Sequence, residues 1–304
     1  MRSRAILSLF LAAAFGVAAR AAAPKAAGTA SDSKAPARPP SCAQPRGPNS
    51  VPRGFQKDAV TVECDDAYRM AADYTKRVRP RGPMPGVIFL HEDGRDRHSW
   101  HAQTVFTAAR GLAALALDLR GYGENPGSVG NPEKTASAFT DADYRLMLGD
   151  VRNAVSFLAV KNEVDGGRLA LVGSGMGANL ALLAAGEPWA EAVQVVIAVS
   201  PALEWKGLRV GDAVAKIPKS TRIYLAAAKD DPEGWQACEA FMPLIRGPKE
   251  FVKFDTGGRG TALFHGRLFQ QIPTWLASNL VQPLPAEELR RSPPVRRIPA
   301  GPAR

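Results

Sequence analysis

Apolar and polar positions alternate along this chain in two kinds of run. Val60 to Glu63 and Met70 to Tyr74, separated by a turn containing Asp65-Asp66, resemble the arms of an opening antiparallel hairpin. Gly86 to Leu90 and Leu112 to Leu117 are short unbroken apolar runs, as expected of strands buried on both faces. Between them, apolar residues from Trp100 fall at helical spacing and stop at Gly111, a natural C-terminal end. Asp141 to Ala159 predicts a long amphipathic helix, Arg168 to Gly173 a strand, and Gly177 to Ala185, rich in Ala and Leu, another helix. Val195 to Val199, Arg222 to Ala227 and Glu250 to Phe254 add three strands, and Arg267 to Leu280 a closing helix. Such alternation predicts the α/β class, a doubly wound, mostly parallel sheet in a single domain spanning residues 59–282.

Both ends of the chain break this pattern. Arg2 and Arg4 precede the apolar run Ala5 to Ala19, with small residues around Ala21, the layout of a cleavable secretory signal over residues 1–21. A run of about 15 residues is too short for a membrane span, so the chain is expected to be exported, periplasmic or released, with no integral span. Residues 22–58, with Ala35-Pro36-Ala37-Arg38-Pro39-Pro40, read as an Ala/Pro-rich linker, and residues 283–304 as a Pro/Arg-rich disordered tail.

The net charge of +10 raises the question of nucleic acid, and its distribution answers it. Residues 1–58 carry nine Lys/Arg against two Asp, and residues 283–304 five Arg against two Glu, leaving 25 cations and 25 anions between them. The folded part therefore has no basic footprint, and no nucleic-acid partner is expected. Three cysteines cannot all pair internally. In an oxidising compartment Cys42 and Cys64 are candidates for a bridge, while Cys238 sits in an apolar helical stretch that suits a buried free thiol. No Cys or His spacing suggests a metal site, and no cofactor is implied.

Candidate chemistry concentrates in Leu171-Val172-Gly173-Ser174-Gly175-Met176-Gly177-Ala178-Asn179-Leu180, where a buried strand enters a glycine-dense turn and leaves as a helix. This is the setting of a nucleophile elbow, Gly-x-Ser-x-Gly. The glycines at that spacing are Gly173 and Gly177, and the residue between them is Gly175. A dinucleotide fingerprint would need a third glycine where Ala178 stands. Ser174 lies one position early, and strand alternation predicts that its hydroxyl points away from the tip.

With Val87-Ile88-Phe89-Leu90 leading into His91-Glu92-Asp93-Gly94, Ala116-Leu117-Asp118-Leu119-Arg120-Gly121-Tyr122-Gly123-Glu124, the elbow, Val199-Ser200-Pro201 and Asp230-Asp231-Pro232, the chain resembles the dienelactone-hydrolase-like esterases and peptidase relatives of the α/β-hydrolase superfamily over roughly Val60 to Leu280. The resemblance implies an oxyanion hole from the backbone N–H groups of Met176 and Glu92. It implies a triad acid at Asp231, with Asp230 second. It puts the triad histidine at Arg259, in Asp255-Thr256-Gly257-Gly258-Arg259-Gly260-Thr261, where relatives carry His-Gly-Thr. An arginine stays protonated and cannot be a general base. His265 is the nearest stand-in in sequence. Nucleophile and base are thus expected to be missing together, with Arg259 pairing to Asp231 in place of the acid–histidine contact. The implied protein is a pseudo-hydrolase acting as a binding or scaffold module, with a small-molecule acyl ligand or a protein as partner. The rival is an active serine-type or atypical hydrolase of acyl esters, lactones or peptide-like substrates.

Overall fold

The computed structural model describes residues 50–125, 134–264 and 266–281. The signal, the C-terminal tail, Cys42 and His265 lie outside the described residues. In chain order the strands are β1 (Phe55–Glu63), β2 (Arg69–Arg77), β3 (Met84–Leu90), β4 (Ala113–Leu117), β5 (Val164–Ser174), β6 (Val193–Val199), β7 (Glu204–Trp205), β8 (Leu208–Arg209), β9 (Arg222–Ala228) and β10 (Lys249–Phe254). The helices are α1 (His101–Ala109), α2 (Asp141–Ala159), α3 (Met176–Ala185), α4 (Gly211–Lys216), α5 (Pro232–Phe241) and α6 (Arg267–Leu280). The hairpin arms β1 and β2 pair antiparallel from Phe55↔Arg77 to Glu63↔Arg69, so β1 begins ahead of residue 59. The short β7–β8 hairpin and α4, too brief to leave a periodic signal, were not expected from the sequence.

The large sheet has the order β1-β2-β4-β3-β5-β6-β9-β10. All its pairings from β4 to β10 are parallel, while β2 runs antiparallel to both its neighbours. Alternation along each strand feeds two cores. In β3, Ile88 and Leu90 pack with Met147, Val151 and Leu158 of α2 and with Leu180 of α3. Val87 and Phe89 face the opposite side, with Trp100 and with Leu268, Ile272 and Leu276 of α6. The sheet is therefore covered on both faces, as the unbroken apolar runs require. Helix α2 starts where a capping box allows it, with Thr140 and Asp143 exchanging side-chain to backbone bonds. Among the described residues no helix is long and apolar enough to cross a membrane.

Two buried ionic clusters tie the loops at the C-terminal ends of the strands to this frame. Arg97 reaches Asp73 at 3.3 Å, Glu124 at 2.6 Å and the fully buried Asp118. This cluster holds down the loop after β3. Arg120, 1% exposed, donates Nε to Asp150 of α2 at 2.7 Å and Nη2 to Asp66 at 3.0 Å, with its guanidinium 4.6 Å from the Tyr68 ring centroid. Cys64 belongs to this second cluster. Its Sγ lies 3.6 Å from Asp150 Oδ1 as a buried free thiol, and the candidate pairing with Cys42 falls outside the described residues. The thiol faces a carboxylate inside the core, and burial pushes its pKa up, so it is neither accessible nor ionised for exchange. Cys238 is likewise free and fully buried.

Candidate active site

The elbow forms because strand and helix approach too closely for side chains. A Cβ on Gly173 would collide with the Gly177 carbonyl, and one on Gly177 with the Leu90 carbonyl. Between them Gly175 takes φ 53°, ψ −117° and caps α3. Its N–H donates to Val199 O at 2.9 Å and its carbonyl accepts from Ala178 N at 3.0 Å, so the turn is held from both sides. The tip thus keeps backbone angles that a side chain tolerates only under strain, and glycine occupies it without that cost.

Asp231 and Arg259 meet from the loops after β9 and β10. Asp231 is 4% exposed, caps α5 by accepting from Gly234 N at 3.2 Å, and has Arg259 Nη1 3.5 Å from its Oδ1. Its Oδ2 is buried against Gly234, with no hydrogen-bond partner among the described residues. Arg259 also pairs with Glu233 and stacks 5.7 Å from the Trp205 ring centroid, two partners that sequence reading missed. Only Pro232 separates Glu233 from Asp231, so proximity to the acid was the available signal; nothing local announced Trp205. Asp230 does different work. It accepts the N–H groups of Gly257 and Gly258, each at 3.0 Å, which lowers its carboxyl below the usual range and anchors the loop that carries Arg259. Ser200, at φ 50°, accepts Gly260 N at 2.8 Å and fixes the next part of that loop.

Glu92 occupies the mouth of the elbow. A Cβ on Gly175 would lie 3.0 Å from Glu92 Cβ and 3.7 Å from its Oε2. The carboxylate accepts the Ser174 hydroxyl at 3.2 Å, the Thr261 N–H at 3.2 Å and the Thr261 hydroxyl, with Arg95 Nε at 3.7 Å. Ser174 is fully buried and its hydroxyl turns into this cluster, not away from it. Strand alternation assigns only a face of the sheet. On that face the loops after β3 and β10 fold over the end of β5. The backbone N–H groups of Glu92 and Met176 form no hydrogen bond with another described residue, so neither is tied up in the turn. The Met176 side chain is buried, its sulfur 3.9 Å from the Tyr122 hydroxyl. Lys206 of the β7–β8 turn approaches Asp93 at 3.6 Å, joining the small hairpin to the same loop. Among the described residues no group of His, Cys, Asp and Glu could hold a metal ion.

His91 is a structural residue. Its Nε2 accepts the Leu119 N–H at 3.0 Å, which puts the proton on Nδ1, where it donates to Glu92 O at 2.8 Å. Burial lowers its pKa from 6.5. A histidine depressed in the folded state adds stability that is complete above its unfolded pKa and is lost as pH falls below it toward the folded value. The urea midpoint should therefore fall on the acid side between about pH 7 and about pH 5. His91→Gln should make that slope shallower; an unchanged slope would acquit His91.

A doubly wound sheet, a glycine-framed turn from strand to helix, and the loops after β3 and β10 meeting at the end of β5 define the class of α/β-hydrolase folds. The chain belongs to the Alpha/beta hydrolase family, which it matches over residues 87–302. It is 30% identical over 123 residues to an uncharacterized protein of Mycobacterium tuberculosis, covering 40% of this chain and 39% of that one. It is 29% identical over 149 residues to the probable 2-oxo-3-(5-oxofuran-2-ylidene)propanoate lactonase of a Bradyrhizobium species, covering 49% of this chain and 58% of that one. The chain thus spans less than two thirds of these relatives. Its fold superposes on an acetyl xylan esterase from Paenibacillus sp. R4 with a TM-score of 0.61 at 19% identity, covering 77% of this chain and 91% of the other. For a dienelactone hydrolase from Anabaena variabilis the TM-score is 0.58 at 17% identity, covering 74% and 97%.

Proposed function

We propose that this chain is an exported, catalytically silent member of its family, acting as a binding or scaffold module. The observation that supports the reading is the pair of residues at the positions where the family resemblance puts nucleophile and base. Gly175 holds the elbow angles with no hydroxyl to attack, and Arg259 bridges to Asp231 where a proton acceptor would stand. Triad members act as a unit, so either loss alone removes most of the triad's contribution. A fold shared with esterases does not restore it.

The purified chain should show no labelling by a fluorophosphonate and no turnover of short acyl esters or lactones above buffer. The opposing reading is a hydrolase built on Ser174, whose hydroxyl donates to Glu92. It requires labelling that disappears in Ser174→Ala. Label on any serine of the folded domain, or ester cleavage at rates typical of family esterases, would overturn silence.

A further inference from the structure

We infer that a cleft between α6 and the edge formed by β9 and β10 binds a small zwitterion, an ammonium and a carboxylate on an aromatic or apolar body, as in a free α-amino acid. The cleft encloses about 480 Å³, within the range of small-molecule sites. Tyr224 is the third residue of β9 and pairs with Glu250, the second of β10, so the cleft lies toward the N-terminal ends of these parallel strands, away from the elbow. Its wall is the flank of α6 left once Leu268, Ile272 and Leu276 turn into the core. The aromatic floor is Tyr224 and Trp275, their ring centroids 4.9 Å apart, with the Tyr224 hydroxyl donating to Gln271 Oε1 at 3.3 Å. Two opposite charges line the same cleft. Glu250 and Arg267 are both exposed, and neither side chain forms an ion pair or a hydrogen bond with a described residue. They bear on Tyr224 with opposite signs: burial pushes its hydroxyl pKa up, Glu250 adds to that rise and Arg267 opposes it. Elsewhere on this surface exposed cations and anions close on one another, Arg209 on Glu204 and Lys229 on Asp255, each at 2.7 Å. The Arg267 guanidinium rests instead 5.3 Å from the Phe254 ring centroid. A ligand of one sign would be repelled by one of the two. A zwitterion satisfies both, with its carboxylate on the Arg267 fork, its ammonium on Glu250 and its body against Trp275.

The probe is L-phenylalanine, titrated against the full-length chain by ligand-observed NMR at constant ionic strength. Beside it stand 2-phenylethylamine, which lacks the carboxylate, and 3-phenylpropionate, which lacks the ammonium. The amino acid should bind saturably with a Kd on the order of 1 mM, and each truncated analogue about 10-fold more weakly. Glu250→Gln should weaken the amino acid about 10-fold and leave 3-phenylpropionate no weaker than before. Arg267→Gln should weaken the amino acid and 3-phenylpropionate alike, by about 10-fold, and leave 2-phenylethylamine no weaker. Both positions are exposed, so these variants keep the fold and the test does not depend on a core substitution. Trp275→Ala should abolish binding of all three. The inference is overturned if the parent does not bind the amino acid saturably, if the three ligands bind equally, or if either charge variant loses the acid and the amine to the same extent.

Discussion

The double variant Gly175→Ser/Arg259→His should remain at background on short acyl esters, and adding Glu92→Ala should raise turnover at least about 1,000-fold above the parent. The parts for such a gain are present. The elbow angles persist at residue 175, fixed by bonds to Val199 and Ala178, so a serine would be aimed by the turn at a strain cost of about 1–3 kcal/mol. A histidine replacing the arginine that now reaches Asp231 Oδ1 would have that carboxylate as an acceptor for its N–H. Glu92 is what keeps the double variant silent. The new serine Cβ would stand 3.0 Å from Glu92 Cβ, tighter than ordinary packing, and the carboxylate fills the space a substrate carbonyl needs. Its charge beside the elbow would also oppose the negative charge that develops on a substrate carbonyl oxygen, and like charges there raise the barrier. Alanine at 92 keeps that Cβ and the backbone donor and removes the carboxylate. Equal turnover by the double and triple variants would show that Glu92 is no obstacle. A folded but inert triple variant would show that the scaffold has lost more than these three positions.

Local features of this site were legible in the sequence, and contacts across the fold were not. Gly175 is visible because the elbow is a five-residue motif whose outer glycines are dictated by backbone approach. The limits of α2 and α6 agree with their hydrophobic period from first residue to last. Glu92 shows the opposite case. Its bonds to Ser174 and Thr261 span 82 and 169 positions, and periodicity carries no information about which loops meet above a sheet. The sequence therefore pointed to the Glu92 backbone as a donor and missed the side chain that fills the mouth. The contact of Cys64 with Asp150 was hidden for the same reason, because Asp150 lies on a helix 86 positions later.

Arg120→Met should be among the most destabilising single substitutions in the domain, costing about 3–5 kcal/mol. Asp150 is fully buried on α2, and desolvation pushes its carboxyl pKa upward while Arg120 pulls it down. Removing the guanidinium leaves that charge without its main partner, strands Asp66 at the edge of the cluster, and withdraws the cation over Tyr68. At about 2–4 °C per kcal/mol for a domain of this size, the melting temperature should drop on the order of 10 °C. The deficit should be smaller at pH 5 than at pH 8, because an orphaned Asp150 has its folded pKa raised above the unfolded value and is relieved by taking up a proton as pH falls. Arg120→Met/Asp150→Leu should recover most of the loss, since an apolar pair of similar volume replaces a buried ion pair at little cost. A double variant as unstable as Arg120→Met alone would mean that Asp66 and Tyr68, rather than the Arg120–Asp150 pair, account for the contribution of Arg120. The buried pair would then serve to orient the Asp118-Leu119-Arg120 segment beside the elbow, not to stabilise the fold.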